Sequence, residues 1–299
     1  MHPCGVILGD ASLLKRTPVQ PSGLGLPMSQ FDKHDMDPMG MLKLDVLGVR
    51  MQSTLTYALD EIQRLELIRA RRRDEEDEAA VVPPRIDLEA VPRDDPATFE
   101  LIRSTHTLGC FQIESPGQRE LIGKMAPESF DDLIVDISLF RPGPMQSNMV
   151  RPYLDQRHGF ATVPSIDPRL DPILAETHGV TVFHEQILRI LDTVTGCGLA
   201  RADELRRKLG GPEEPAVERF VRESARAQGD WKPAVLDQVW EILSAFGSFG
   251  FCKAHGAAFA VPTYESAWLK AHHPEAFLAG VWEHDPGICL LYTSDAADE

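Results

Sequence analysis

The chain changes its hydrophobic period near residue 50. In Met41-Leu-Lys-Leu-Asp-Val-Leu-Gly-Val-Arg50, apolar Leu42, Leu44 and Val46 alternate with Lys43 and Asp45. This is the period-two pattern of a strand, and it puts both charged side chains on one face. From Met51 onward, Leu55, Ala58, Leu59, Ile62, Leu65 and Ile68 recur at three- and four-residue spacing. They predict a long amphipathic helix that runs into the mixed-charge stretch Arg69–Glu78.

On the strand side, His2–Gly9 reads as a β-like apolar segment, Pro18–Pro27 as a loop and Asp35–Gly40 as a turn. On the helical side, Asp94–Arg103 has an acidic start, Ser115-Pro116 opens a helix, and Ser129 with Asp131–Asp132 caps Ser129–Phe140. Leu108–Ile113 and Val180–Phe183 read as short strands. Arg141-Pro-Gly-Pro144 is irregular, because two prolines around a glycine cannot extend a helix. Helical spacing then covers Met145–Arg157, Pro168–Glu176, His184–Val194, Arg201–Leu209, Pro215–Ala227, Lys232–Phe246 and Thr263–Ala271. The fold class is α+β: a small β-containing piece followed by a mainly α region.

Composition narrows the possibilities. The 299 residues carry a formal charge of −16, which excludes a surface that coats DNA indiscriminately and leaves room only for a local basic cleft. Cys4, Cys110, Cys197, Cys252 and Cys289 are scattered with no Cys-x-x-Cys, as in reduced cytoplasmic thiols. No apolar run approaches a membrane span. No Walker, Rossmann or Gly-x-Ser-x-Gly pattern occurs. His272-His273 point apart on a helix and lack a third ligand at metal spacing.

Lys43 and Asp45 invite two readings. A same-face pair in an apolar strand costs free energy unless each group is partnered. A salt bridge within the chain is one partner, with Asp32 or Asp35 also open to Lys43; a bound ligand is the other. The flanking motifs bear on the choice. Gln30-Phe-Asp-Lys33, His2-Pro-Cys-Gly-Val-Ile7, Cys110-Phe-Gln-Ile-Glu-Ser115, Leu139-Phe-Arg-Pro-Gly-Pro144, Phe183-His-Glu-Gln186, Leu205-Arg-Arg-Lys208 and Gly250-Phe-Cys-Lys-Ala-His255 are scattered through the chain. Together they resemble the bacterial C-family DNA polymerases, the DNA polymerase III alpha-subunit family, from about His2 to Pro286. Glu114-Ser-Pro-Gly-Gln-Arg119, Asp136-Ile-Ser-Leu139 and Phe249-Gly-Phe-Cys-Lys-Ala-His255 look most like its error-prone, damage-tolerant branch.

The resemblance implies a domain plan. Residues 1–50 would be the C-terminal part of a palm domain, 51–287 a fingers domain, and 288–299 a non-native tail that looks like adaptor read-through. Met1 standing on a motif that is internal in the family implies truncation at that end too. It also implies a chemistry: template-directed nucleotidyl transfer on primer-template DNA and deoxynucleoside triphosphates, in replication or in damage-induced translesion synthesis and repair. Two Mg2+ ions roughly 3.5–4 Å apart would be held by carboxylates. Asp45 matches one catalytic, metal-binding aspartate; the other two precede residue 1, so the fragment itself is expected to be inactive. Asp35 and Asp37 form an Asp-x-Asp in the wrong place and read as turn residues.

By the same resemblance, Lys43, Arg206 and Arg207 would neutralise phosphates, the arginines through their bidentate forks. Lys253 and His255 would lie near the nucleotide, with Gln186 as a companion and Arg141 on template or nucleotide. Away from the family, adjacent arginines are ordinarily solvated and a lone histidine is ordinarily structural. The resemblance further implies a cytoplasmic protein whose parent meets a sliding clamp and accessory mutagenesis proteins. The competing reading is a non-catalytic DNA- or partner-binding module derived from polymerase fingers. A metal-dependent hydrolase built on Asp45 and histidines lacks clustered ligands.

Overall fold

In the computed structural model, which describes residues 5–32, 35–36, 38–46, 48–75, 83–140, 149–163, 165–246 and 251–284, the alternating stretch near residue 42 is a strand with one partner. β1 (Gly5–Leu8) runs antiparallel to β4 (Leu42–Asp45), with Val6 opposite Leu44 and Leu8 opposite Leu42. Between them come a one-turn helix, α1 (Leu13–Arg16), and a second antiparallel ribbon, β2 (Val19–Pro21) with β3 (Pro27–Ser29). That ribbon corrects the expectation of a plain loop over Pro18–Pro27. Pro21 and Pro27 face each other at its closed end, a position where prolines can sit without interrupting a longer ladder. The chain is α+β, and it divides into two compact units, Met1–Arg50 and Met51–Glu299.

The second unit is helical. α2 (Arg50–Glu75) realises the long period, with Met51, Leu55 and Ala58 buried along one face. α3 (Pro96–Arg103), α4 (Pro116–Met125) and α5 (Phe130–Leu139) each start at a side-chain cap. Asp95 accepts from the Thr98 amide at 2.8 Å, Ser115 from Gln118 at 3.4 Å and Ser129 from Asp132 at 3.2 Å. Asp132 answers to the Ser129 amide at 3.1 Å, closing a capping box. α6 (Val150–Arg157) and the single turn α7 (Asp171–Leu174) follow.

α8 (His184–Thr195), α9 (Leu199–Arg206), α10 (Glu214–Gln228) and α11 (Pro233–Phe246) share one core. Ile187, Ile190, Leu191, Val217, Val239 and Leu243 lie at its centre. α12 (Lys253–His272) packs most extensively on α5, and α13 (Pro274–His284) on α12. Close approach of α12 to α5 depends on Gly256: a Cβ there would lie 2.7 Å from the Ser138 hydroxyl.

Three further expectations change. Leu108–Ile113 is a chain of turns, with Gly109 and Gln112 at φ +80° and +62°, and the Thr107 hydroxyl bonded to the Ile113 carbonyl. Its apolar side chains point into the helical core without extended backbone. Val180–Phe183 contributes one residue, Phe183, to a single parallel bridge with Phe251. α12 starts at Lys253 rather than Thr263 and continues through Pro262, held by its packing on α5.

Candidate functional site

Lys43 and Asp45 lie on β4, where Lys43 pairs with Ile7 and Asp45 with Gly5. Lys43 is half-buried. The side chain of Asp45 is outside what the structure describes, and Arg141 lies outside the described residues altogether. Asp35 is a turn residue whose carboxylate accepts from the Asp32 amide at 2.8 Å. Mg2+ requires near-octahedral oxygen ligation. Among the described residues no group of three or more His, Cys, Asp or Glu could hold a metal ion.

The helical unit brings two distant motifs together. Beside the Phe183–Phe251 bridge, the His184 amide donates to the Phe251 carbonyl at 2.8 Å. One residue on, the Lys253 amide donates to both oxygens of the Glu185 carboxylate, at 3.2 and 3.0 Å, and the Cys252 thiol reaches the same group at 3.4 Å. Glu185 therefore caps α12 from the first turn of α8, where a negative charge suits the positive end of the helix. α8 and α12 start from one junction, formed by Phe183-His-Glu-Gln186 and Phe251-Cys-Lys-Ala-His255.

Side chains at the junction divide into structural and presented groups. Gln186 is buried and its amide is fully engaged. Its oxygen accepts from Val182 and Phe183 at 2.8 and 3.0 Å, and its nitrogen donates to Ile173 and Thr177 at 3.2 and 2.7 Å. These four hydrogen bonds shape the turn before α8. Lys253 reaches outward: its ammonium pairs with Glu176 and lies 5.6 Å from the Phe183 ring centre. His255 is exposed and stands edge-on between Phe251 and Phe259, at centroid distances of 5.1 and 4.5 Å.

Arg206 and Arg207 sit at the end of α9, which packs along α8. Both converge on Asp203. Arg206 donates to one carboxylate oxygen at 3.0 and 2.8 Å, and Arg207 to the other at 3.0 Å. The Arg206 hydrogen bond, more than any other influence, holds the Asp203 carboxyl below the usual range. Arg206 is mostly covered while Arg207 is exposed. Lys208, next in the chain, pairs with Glu213 at 3.2 Å.

Each of these helical-unit cations thus carries an internal carboxylate: Glu176 for Lys253, Asp203 for the arginines, Glu213 for Lys208. Sequence reasoning chose the cations and passed over these acids and Glu185. Glu185 stood inside a quoted motif, but its partner is 68 residues away, and no local spacing reports that contact.

The sequence comparisons assign the class of the chain. The chain belongs to the bacterial DNA polymerase III alpha-subunit family. The family's finger-domain model matches residues 59–227, and its alpha NTPase-domain model matches residues 1–48.

Among curated relatives, the chain is 36% identical over 289 residues to the DNA polymerase III subunit alpha of Pasteurella multocida, covering 94% of this chain and 24% of the relative. It is 35% identical over 289 residues to the error-prone DNA polymerase of Symbiobacterium thermophilum, covering 95% and 25%. Against the DNA polymerase III subunit alpha of Escherichia coli K12, identity is 33% over 292 residues, covering 95% and 24%. The chain spans about a quarter of the length of these relatives.

Proposed function

We propose that the chain is the fingers-bearing segment of a template-directed, error-prone DNA polymerase, with residues 1–50 the end of its palm, 51–287 its fingers and 288–299 a non-native tail. The observation that carries this reading is the junction at Phe183 and Phe251, which places Lys253 and His255 on one helix start and packs the arginine-bearing α9 along the other. The reaction is attack of a primer 3′-hydroxyl on a nucleotide α-phosphorus, with release of pyrophosphate. Phosphoryl transfer rests on positioning and charge neutralisation. Lys253, Arg206 and Arg207 are proposed to meet phosphate oxygens of the nucleotide in exchange for Glu176 and Asp203, and Lys43 is proposed, from family likeness alone, as a phosphate-neutralising residue of the first unit.

Asp45 is proposed as one of several carboxylates for two magnesium ions, the others lying outside these residues. The error-prone role in translesion synthesis is the finer part of the proposal. It is supported by the motif details around Ser115, Asp136 and Phe249 and by likeness to the Symbiobacterium enzyme. Partners of the whole polymerase would include primer-template DNA, a sliding clamp and mutagenesis accessory proteins, in the cytoplasm. Among the described residues no helix is long and apolar enough to cross a membrane.

Two measurements test this. The purified 299-residue chain should give no primer extension with magnesium and all four nucleotides; extension would overturn the placement of the missing carboxylates. In a full polymerase carrying this segment, Lys43→Ala should raise nucleotide KM or lower kcat by about tenfold or more, a loss of about 1.4 kcal/mol. Unchanged kinetics would remove Lys43 from the site.

A further inference from the structure

One buried ionisable group has no part in the proposed polymerase chemistry. Asp136, on α5, is fully buried, and Gln118, on the facing α4, is 1% exposed. The Gln118 amide nitrogen donates to Asp136 Oδ2. The two remaining polar atoms of the pair, Asp136 Oδ1 and Gln118 Oε1, have no hydrogen-bond partner among the described residues. Both are acceptors if the carboxyl is ionised. A buried carboxylate with one donor and an orphaned amide oxygen beside it is an expensive arrangement. A proton on Oδ1 would turn that acceptor into a donor and offer the amide oxygen a partner.

Among the described residues no cation offsets a charge here. On α4, Lys124 pairs with Glu120 and Arg119 donates to the Thr105 carbonyl. On α5 itself, Asp132 is bound by Arg157 through both carboxylate oxygens. The rest of that guanidinium goes to the Met125 and Ala126 carbonyls. The other α6 charges, Arg151 and Asp155, pair with each other at 3.7 Å. Tyr153 is a neutral phenol, pushed up to about 12 by burial, and His178 stands edge-on to it. From α12, Lys253 pairs with Glu176, Lys270 donates to the Leu108 carbonyl and His272 meets Asp95. Glu265, also on α12, has its carboxyl raised by its own burial. Burial likewise raises the Asp136 carboxyl well above the ordinary range.

We propose that Asp136 is held as a neutral carboxylic acid that donates its proton to Gln118, joining α4 and α5 by a reciprocal acid–amide pair that ionisation would break. The sign follows from linkage. The folded chain holds this proton more tightly than the unfolded chain. The stabilisation is complete below the unfolded value near 3.8 and falls as pH rises toward the raised folded value.

The test uses the whole 299-residue chain. Infrared difference spectra between wild type and Asp136→Asn should show a protonated-carboxyl C=O stretch at neutral pH that vanishes in the variant. Asparagine copies the neutral acid in shape and supplies an N–H for Gln118 Oε1. Asp136→Asn should therefore melt at or above wild type at neutral pH, with the gap widening from mildly acidic to mildly alkaline buffer. Asp136→Ala, which orphans the Gln118 amide, should melt roughly 5 °C lower. A missing carboxyl band, a gap that narrows with rising pH, or an Asp136→Asn chain that fails to fold while Asp136→Ala folds would each overturn the proposal.

Discussion

Val6, Leu8, Leu42 and Leu44 in the first unit, and Ile187, Ile190, Leu191 and Val194 in the second, are the same kinds of side chain with opposite fates. The first four pair across β1 and β4 and remain 44–57% exposed, whereas the second four are at most 1% exposed. Among the described residues of 1–50, only Thr17, Met36 and Met41 are buried. The difference lies in what each element needs. A helix buries a stripe against neighbours close in sequence, as α8 does against α9. A two-stranded ribbon presents a whole face and has no second layer of its own. The helical unit is stabilised by its own core, and the strands around Asp45 are shaped by pairing alone.

Truncating one residue from each set probes this contrast most directly. Leu191→Ala should cost about 2–5 kcal/mol in urea unfolding followed by circular dichroism, while Leu42→Ala should change stability by less than about 0.5 kcal/mol. Comparable losses would erase the distinction between the units. Glu185→Ala sharpens it at the junction. Losing the cap of α12 should cost about 1 kcal/mol and speed exchange of the Lys253 amide about fivefold, with amides of the first unit unchanged.

Asp203→Asn has the smallest effect. Its carboxyl is held below the ordinary 3.8, so its contribution is present at neutral pH and lost as pH falls through the folded value. The variant should shallow the acid limb of a melting-temperature profile. At neutral pH it should differ by less than about 0.5 kcal/mol, because the pair is largely solvent-screened.

Much of the helical unit was legible because its signals are local. Leu55 through Ile68 mark α2, and Ser115-Pro116 and Ser129 with Asp132 mark the starts of α4 and α5, where the caps form. What escaped depends on distant partners. Pro262 reads as a breaker, yet α12 passes through it because Gly256 lets the helix lie against Ser138. Cys110-Phe-Gln-Ile113 has a strand's composition, but Gln112 takes a left-handed conformation and no strand among the described residues pairs with it. α13 has no local start signal beyond Pro274; Gly280 seats it on α2, where a Cβ would lie 2.7 Å from the Thr54 carbonyl.

The site divides the same way. The cations Lys253, Arg206 and Arg207 were visible as types, but Asp203 binding both arginines at once was not. Residues three and four apart on one turn share a face that adjacent arginines do not share with each other.

A rotation of α12 about the origin that it shares with α8 would take Phe251 as its pivot. A helix of 20 residues is about 30 Å long, so a tilt of about 10° about Phe251 carries its far end through about 5 Å. Lys253, two residues from the pivot, would barely move, while His272 at the far end would sweep the full arc. Motion about this point would leave the cations in register and register instead at the opposite end of the lever, where His272 meets the loop before α3.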